Sequence, residues 1–478
     1  MSQRSRRCVI GAIALVGLTA AGMAGAAEEK GDRTDRILVG FGGADITPNV
    51  SGPKPVYMAG FGQNRQATAV LDPLKARAIV LKDSGGKVAL VSVDLIGLFL
   101  EETVEIRRHL PGFAHVVVSC THNHEGPDTM GLWGKNAFQS GIDEGYQRLV
   151  RERIIEAVKA ADRGAVPAEA RIGVARLPDL LADGREPYVK QDELVVLTFC
   201  KVGSESPLGL CIQWNCHPET LGSRNTTISA DFVGPLVETL QRRRQCPAVL
   251  FTGAVGGLMT TLGLEVRDAQ GRALPENSIE KTERYAALLA EQVEKLMREG
   301  QPARLAPIRA RHREVFVPLD NPLYLLGRTL GVLRREAFAW TGNPDKAETL
   351  GKVAPQRYCL RTEVGWLSLG ELDVALIPGE IYPELVLGKV QDPPDPGADF
   401  PDAPIERAIY ADLPGRWRMI FGLANDEIGY ILPKRQWDEK PPFCYGRPKS
   451  QYGEVNSVGP DAAPILCEAF RRLVQPTP

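Results

Sequence analysis

Val118-Ser119-Cys120-Thr121-His122-Asn123-His124-Glu125-Gly126-Pro127 is the stretch on which the reading of this sequence turns. The apolar run Ala114 to Val118 leads into it and a Gly-Pro breaker closes it, the pattern of a buried strand that spills into a loop. The sequence has six histidines, and two of them stand here two residues apart. In extended backbone, residues i and i+2 share a face. Two imidazoles at the mouth of a sheet can serve one metal ion, or one can bind while the other works on a substrate. A hydrogen-bonded surface pair has the same spacing, and the motif alone does not choose.

The same pattern recurs further along. The apolar run Leu208 to Cys216 delivers His217, and Gly365 to Ile377 reads as a hairpin of apolar strands that releases Glu380 after Pro378-Gly379. Three metal-capable groups are thus released at strand ends. Lys75–Leu81 and Lys87–Asp94 read as a hairpin about Asp83-Ser84-Gly85-Gly86. Asp94 ends that hairpin as a functional carboxylate or as a loop cap. Helical spacing marks 101–110, 142–162 and 280–298, and a further helix is expected around 331–341, inside an insertion at 318–350 near the site mouth. Gly253-Ala254-Val255-Gly256-Gly257 is a loop of small residues where backbone can approach a ligand. It lacks the Gly-Lys-Ser/Thr of a P-loop, which excludes nucleotide binding there. The Pro- and Asp-rich stretch 391–405 is a loop, with a lid as one use. Strands and helices alternating in this way give an α/β chain, with mixed β-sheets flanked by helices in a single large domain over 37–478.

Composition narrows the function. Lys and Arg number 57 against 59 Asp and Glu, a net charge of −2 over 478 residues. That balance gives no electrostatic footprint for nucleic acid. The first 27 residues read as a secretory signal peptide: Arg4, Arg6 and Arg7, an apolar stretch from Cys8 to Gly25, then the small-x-small site Ala24-Gly25-Ala26. Export to the periplasm or exterior is expected, with cleavage near 26–27 and 28–36 as a flexible lead. Ser5-Arg6-Arg7 leaves a twin-arginine route open beside the ordinary one. Beyond that segment no run is long and apolar enough for a stable membrane span. Cys8 precedes the apolar stretch, where a lipid-bearing cysteine would not sit. Eight cysteines follow, with no CxxC pair, so at most one or two disulfides are expected and none is assigned.

With these residues in hand, the chain resembles the N-terminal catalytic domain of the neutral/alkaline non-lysosomal ceramidases. The resemblance runs nearly the full mature length. It is carried by Gly40-Phe41-Gly42-Gly43-Ala44-Asp45-Ile46-Thr47-Pro48, Ser92-Val93-Asp94-Leu95, Thr121 to Pro127, Asp183-Gly184-Arg185-Glu186-Pro187, Asn215-Cys216-His217-Pro218 with Ser229-Ala230-Asp231, Pro378-Gly379-Glu380, and Gly422-Leu423-Ala424-Asn425 with Gly429-Tyr430. It implies the family's fold and one zinc ion per chain, held by His122, His217, Glu380 and Tyr430. It implies that His124 faces the substrate as donor or proton shuttle. Arg185 and Tyr452 match the family's substrate-positioning arginine and second tyrosine. Two departures bear on the substrate. Gly256 stands where ceramidases carry a serine, and ceramidases continue into an immunoglobulin-like domain whereas this sequence stops at 478.

The activity so implied is hydrolysis of an amide bond, ceramide-like and N-acyl, by attack of a zinc-bound water, with His124 and Arg185 stabilising the oxyanion. The substrate is a small molecule or lipid. Two other readings stay open: a zinc hydrolase of a carbohydrate or other polar substrate, and a degenerate binding module that kept the fold without catalysis. An apolar funnel favours lipid, and a site ringed by Trp133, Trp366 and charged groups favours sugar.

Overall fold

The structure, a computed structural model, describes residues 37–475. The expected signal peptide and lead lie outside the described residues. Two sheets form the centre. The nine-stranded sheet runs in the order Ala248–Thr252, Pro207–Trp214, Glu193–Lys201, Val166–Arg176, Ile37–Asp45, Lys75–Lys82, Lys87–Val93, His115–Cys120, with Gln301–Ala303 also paired to Val166–Arg176. Its neighbours are antiparallel except at the two ends, where Ala248–Thr252 runs parallel to Pro207–Trp214 and Lys87–Val93 parallel to His115–Cys120. The six-stranded sheet centres on Tyr358–Leu369, flanked by Ile308–Leu319 and Leu372–Leu376, with Trp417–Phe421 parallel to the last. The mixed sheets flanked by helices are as expected from the sequence.

Period-two alternation explains the layering. Ile79, Leu81, Val195, Leu197 and Phe199 face inward and meet Leu367, Leu369, Leu372, Val374 and Phe421 of the second sheet. Phe251 and Phe421 stack across this interface with ring centroids 4.1 Å apart. The alternate residues Ala76, Ala78, Val80 and Val91 face outward, under the helix Glu144–Arg163. Helices Val233–Arg244 and Ile279–Glu299 cover the remainder of that face, and Ala462–Val474 covers the outside of the second sheet. The order is helix, sheet, sheet, helix.

Gly40 and Gly42 in the first strand lie directly beneath Glu144–Arg163. A Cβ on Gly42 would run into the carbonyl oxygen of Ala157, and one on Gly40 into that of Ala161. Close approach of helix backbone to sheet is therefore what these glycines permit. Gly42→Ala is expected to cost about 1–3 kcal/mol, toward the upper end because the obstacle is backbone. A urea-unfolding midpoint unchanged from wild type would refute this.

The nine-stranded sheet curls until its ends touch. Thr252 Oγ1 donates to Thr121 O at 2.8 Å, and Ser92 Oγ to Leu250 O at 2.5 Å. This closure brings the loop after His115–Cys120 toward the loop after Pro207–Trp214. The segment after Trp417–Phe421 ties in the second sheet: Asn425 N–H donates to Val118 O at 2.6 Å, and Asn425 Oδ1 accepts from Val118 N–H at 2.9 Å.

Several expectations are corrected. No helix covers 331–341. The insertion's helix is Pro322–Thr329, capped by Asn321, and Phe338–Asn343 is a strand. Pro322 at the first helical position and the Asn cap are the start signals that mark it. Of the two readings left open for Asp94, its contacts are those of the cap: it is buried against Arg77 at 2.7 Å and accepts from Lys75 N–H. All eight cysteines among the described residues are buried and unpaired, which lies within the expectation of at most one or two disulfides. None of residues 391–405 lines the cavity described below, so the lid reading falls. Among the described residues no helix is long and apolar enough to cross a membrane.

Candidate metal centre

His122 follows its strand by two residues and has φ of +64°. A left-handed backbone at a β-carbon residue costs on the order of 1–3 kcal/mol, and such outliers gather at functional sites. The expectation of extended backbone across His122 and His124 is thereby corrected. Their rings converge by a sharp turn instead, with centroids 4.9 Å apart and planes crossing at 78°.

Main-chain carbonyls fix the tautomers. His122 Nδ1 lies 2.8 Å from Ile96 O, and His217 Nδ1 lies 2.8 Å from Met259 O. A carbonyl only accepts, so Nδ1 carries the proton in both and each Nε2 presents a lone pair. Both lone pairs point at one oxygen: Glu380 Oε2 is 3.2 Å from His122 Nε2 and 2.9 Å from His217 Nε2. Glu380 and Tyr430 are neighbours because the short strands Glu380–Ile381 and Tyr430–Ile431 pair in parallel, with 380 opposite 430. Tyr430 Oη reaches 3.5 Å from His217 Nε2.

Three buried acceptors this close repel one another unless a cation lies among them. Burial works against charge on Glu380, yet His122 and His217 hold its carboxyl well below the usual range. A proton competes for the same place: burial works against charge on His217, but protonated at Nε2 it would donate to Glu380, which outweighs burial and raises its pKa. Nitrogen and oxygen donors in this arrangement suit a divalent metal.

His124 completes the cluster. The ligating atoms of His122, His124 and His217 all lie within 4.8 Å of one another, and this buried group could hold a metal ion. Neither ring nitrogen of His124 has a hydrogen-bond partner. Its Nδ1 is 3.6 Å from Glu219 Oε2, within reach of the charge but beyond a hydrogen bond. Burial first, then His122 and His217, hold its pKa well below the usual histidine value.

The centre opens into a cavity of about 500 Å³. His122, His124, Glu380, Tyr430 and Tyr452 line it, together with Phe61, Ile96, Met130, Leu132, Trp133 and Val332. Phe138, Leu323, Leu326, Leu330 and Val455 also line it and are exposed, so its mouth is apolar. The insertion does sit at the mouth, as expected. Trp366 does not: its indole donates to Asp373 at 3.0 Å inside the second sheet.

Arg185 is also outside the cavity wall. Its two terminal nitrogens are filled by Glu454 (2.7 and 2.8 Å), Tyr452 O (2.8 Å) and Gln436 O (3.1 Å). Tyr452 packs edge-on to Tyr430, 5.7 Å between centroids. The small-residue loop approaches protein, not ligand. Gly256 N–H donates to Ile381 O at 3.0 Å, and a Cβ there would strike the Tyr382 ring and lie 2.7 Å from Glu380 O. Tyr382 fills the room a serine would need. Arg65 escaped the sequence reading. It is buried against Glu125 at 3.0 Å and donates to the carbonyls of Ala59 and His124, anchoring the histidine loop.

No protein-family model matches the chain. Among solved structures it is similar to a ceramidase complexed with C2, with a TM-score of 0.68 and 16% identity over 92% of this chain and 75% of that one. It is also similar to the neutral ceramidase from Pseudomonas aeruginosa, with a TM-score of 0.66 and 16% identity over 92% of this chain and 74% of that one. The chain has the fold of the neutral ceramidases.

Proposed function

We propose that this protein is an exported zinc-dependent hydrolase of an amide bond in an N-acyl substrate with a long apolar portion. The observation that carries the proposal is the convergence of His122 Nε2 and His217 Nε2 on Glu380 Oε2 inside an apolar cavity. His122, His217, Glu380 and Tyr430 are the ligand set, one zinc per chain. When bound, zinc supplies Lewis acidity toward a carbonyl and an activated water. His124, unpaired at both ring nitrogens, offers one as donor to a carbonyl oxygen and the other as acceptor for the proton the attacking water releases, which it can then pass to the departing amine. Tyr452 orients the substrate from the rim. Arg185 acts through Tyr452, whose carbonyl it holds. The apolar wall excludes water and accepts an acyl chain. Trp366 lies in the second sheet, away from the wall, which removes one support of the carbohydrate reading. Export rests on the sequence of residues 1–27.

The test is to purify residues 28–478 without chelator, measure metal by mass spectrometry, and screen N-acyl amides against esters and glycosides. About one zinc per chain and cleavage confined to long-chain amides is the expected result. A well-folded chain that takes up no zinc on incubation would sink the proposal.

A further inference from the structure

Glu219 follows His217 by two residues and is buried against His124, with Oε2 3.6 Å from His124 Nδ1. His124 lines the cavity and Glu219 does not. Main-chain bonds fix the two relative to each other: His124 N–H donates to Pro218 O at 3.0 Å, and Gly222 N–H to Glu219 O at 2.9 Å. The imidazole has little freedom. A Cβ on Gly60 would run into its Cγ and Nδ1, and Phe61 packs against it edge-on with centroids 5.0 Å apart. The carboxylate is held from its far side. Thr260 Oγ1 accepts from Leu262 N–H at 3.0 Å, so its own proton goes to Glu219 Oε1, 2.5 Å away. Oε2 is the oxygen left to face the ring. No hydrogen bond spans 3.6 Å, but the sign of the charge still chooses the tautomer. A lone pair on Nδ1 would point at a negative oxygen, whereas an N–H there presents its positive end. Inside the protein that difference is poorly screened.

We infer that Glu219 is a positioning residue: its carboxylate keeps the proton of His124 on Nδ1 and so leaves the Nε2 lone pair free to take the proton of the attacking water. The inference rests on the hydrolase reading and deepens it by assigning the two ring nitrogens. The proton leaves the water oxygen for Nε2 as that oxygen's electron pair goes to the carbonyl carbon. The same proton then leaves Nε2 for the amine nitrogen as the C–N bond breaks. While the ring holds both protons, Glu219 balances its charge. Glu219 acts only through His124 and is apart from the ligand set.

The test reads the tautomer directly. Long-range proton–nitrogen correlation spectra of the zinc-loaded protein, carrying nitrogen-labelled histidine, distinguish rings protonated at Nδ1 from those protonated at Nε2. The signals lost in His124→Gln identify His124. Wild type should show His124 protonated at Nδ1, with Nε2 free of metal. Glu219→Gln should reverse this. Thr260 keeps its bond to the amide oxygen, the amide NH2 then faces Nδ1, and the ring proton moves to Nε2. For a long-chain N-acyl amide kcat should fall about 100-fold or more, with KM within about twofold and zinc content unchanged. A merely structural role would lower stability and leave the tautomer as it was. Glu219→Leu, which removes the charge and supplies no donor, repeats the test should the first variant misfold, and it should lose the preference for Nδ1. A wild type with His124 protonated at Nε2 or bound to the metal overturns the inference, as does a folded variant that keeps the Nδ1 proton. The expected tautomers without cleavage of any amide would leave the hold of Glu219 on His124 standing and defeat the hydrolase reading instead.

Discussion

Glu380→Ala is expected to empty the metal centre and abolish turnover while leaving the fold intact. The side chain is the one acceptor on which both histidine lone pairs converge, at 2.9 and 3.2 Å. Removing it leaves two neutral imidazoles and a phenol, which is too little charge to hold a divalent ion against water. Changing groups that only orient ligands costs about 10–100-fold in metal affinity. Loss of a ligand should cost more than about 100-fold, and activity should fall to background. Stability should change little without metal, because the repulsion among buried acceptors goes with the carboxylate. His122→Ala should match it in metal loss and differ in stability. That substitution frees the Ile96 carbonyl from its 2.8 Å bond and keeps a left-handed φ at position 122 for alanine. Zinc competition titration and circular dichroism of both variants decide the matter. Retention of one tight zinc in Glu380→Ala would shift the ligand set to His122, His124 and His217, the three nitrogens within 4.8 Å of one another.

What the sequence made legible was what strands release at their ends. His122, His217 and Glu380 each follow an apolar run and a short turn, and the structure brings the three together. What it hid was what meets them from elsewhere. Arg65 stands sixty residues before its partner Glu125, and no periodicity links the two. Tyr382 fills the serine's room only because a two-residue pairing of 380–381 with 430–431 aims it there. Glu427 carries no sequence signal, since an unpartnered oxygen is a property of packing alone. The helix at Pro322–Thr329 was missed because Leu323 and Leu326 face solvent at the cavity mouth while Tyr324 and Leu325 pack inward, so its apolar residues lack the one-sided pattern of a buried helix. The extended reading of His122-Asn123-His124 failed for a local reason. Asn123 N–H donates to Leu95 O and His124 N–H to Pro218 O, and these two anchors turn the chain away from strand geometry.

Arg185→Ala is expected to be the most destabilising single change near the site, by about 3–5 kcal/mol, because it leaves Glu454 buried without its counter-charge. The two carboxylate bonds, at 2.7 and 2.8 Å, lie where both side chains are almost fully enclosed. The same guanidinium holds Tyr452 O and Gln436 O, so its loss also frees the segment carrying Tyr452 and Asn456 at the cavity rim. Activity should therefore fall with the tyrosine's placement, chiefly as a rise in KM, while zinc remains bound. The double variant Arg185→Met with Glu454→Leu separates the two effects. It removes the buried charge pair and fills the volume with apolar atoms, so it should recover most of the lost stability. It cannot restore the bonds to Tyr452 O and Gln436 O, so the rise in KM should persist. Urea-unfolding midpoints with steady-state kinetics on both variants make the comparison. A single variant that keeps full stability and full KM but loses kcat would place Arg185 on the reacting carbonyl, and its pairing with Glu454 would then have to open when substrate binds.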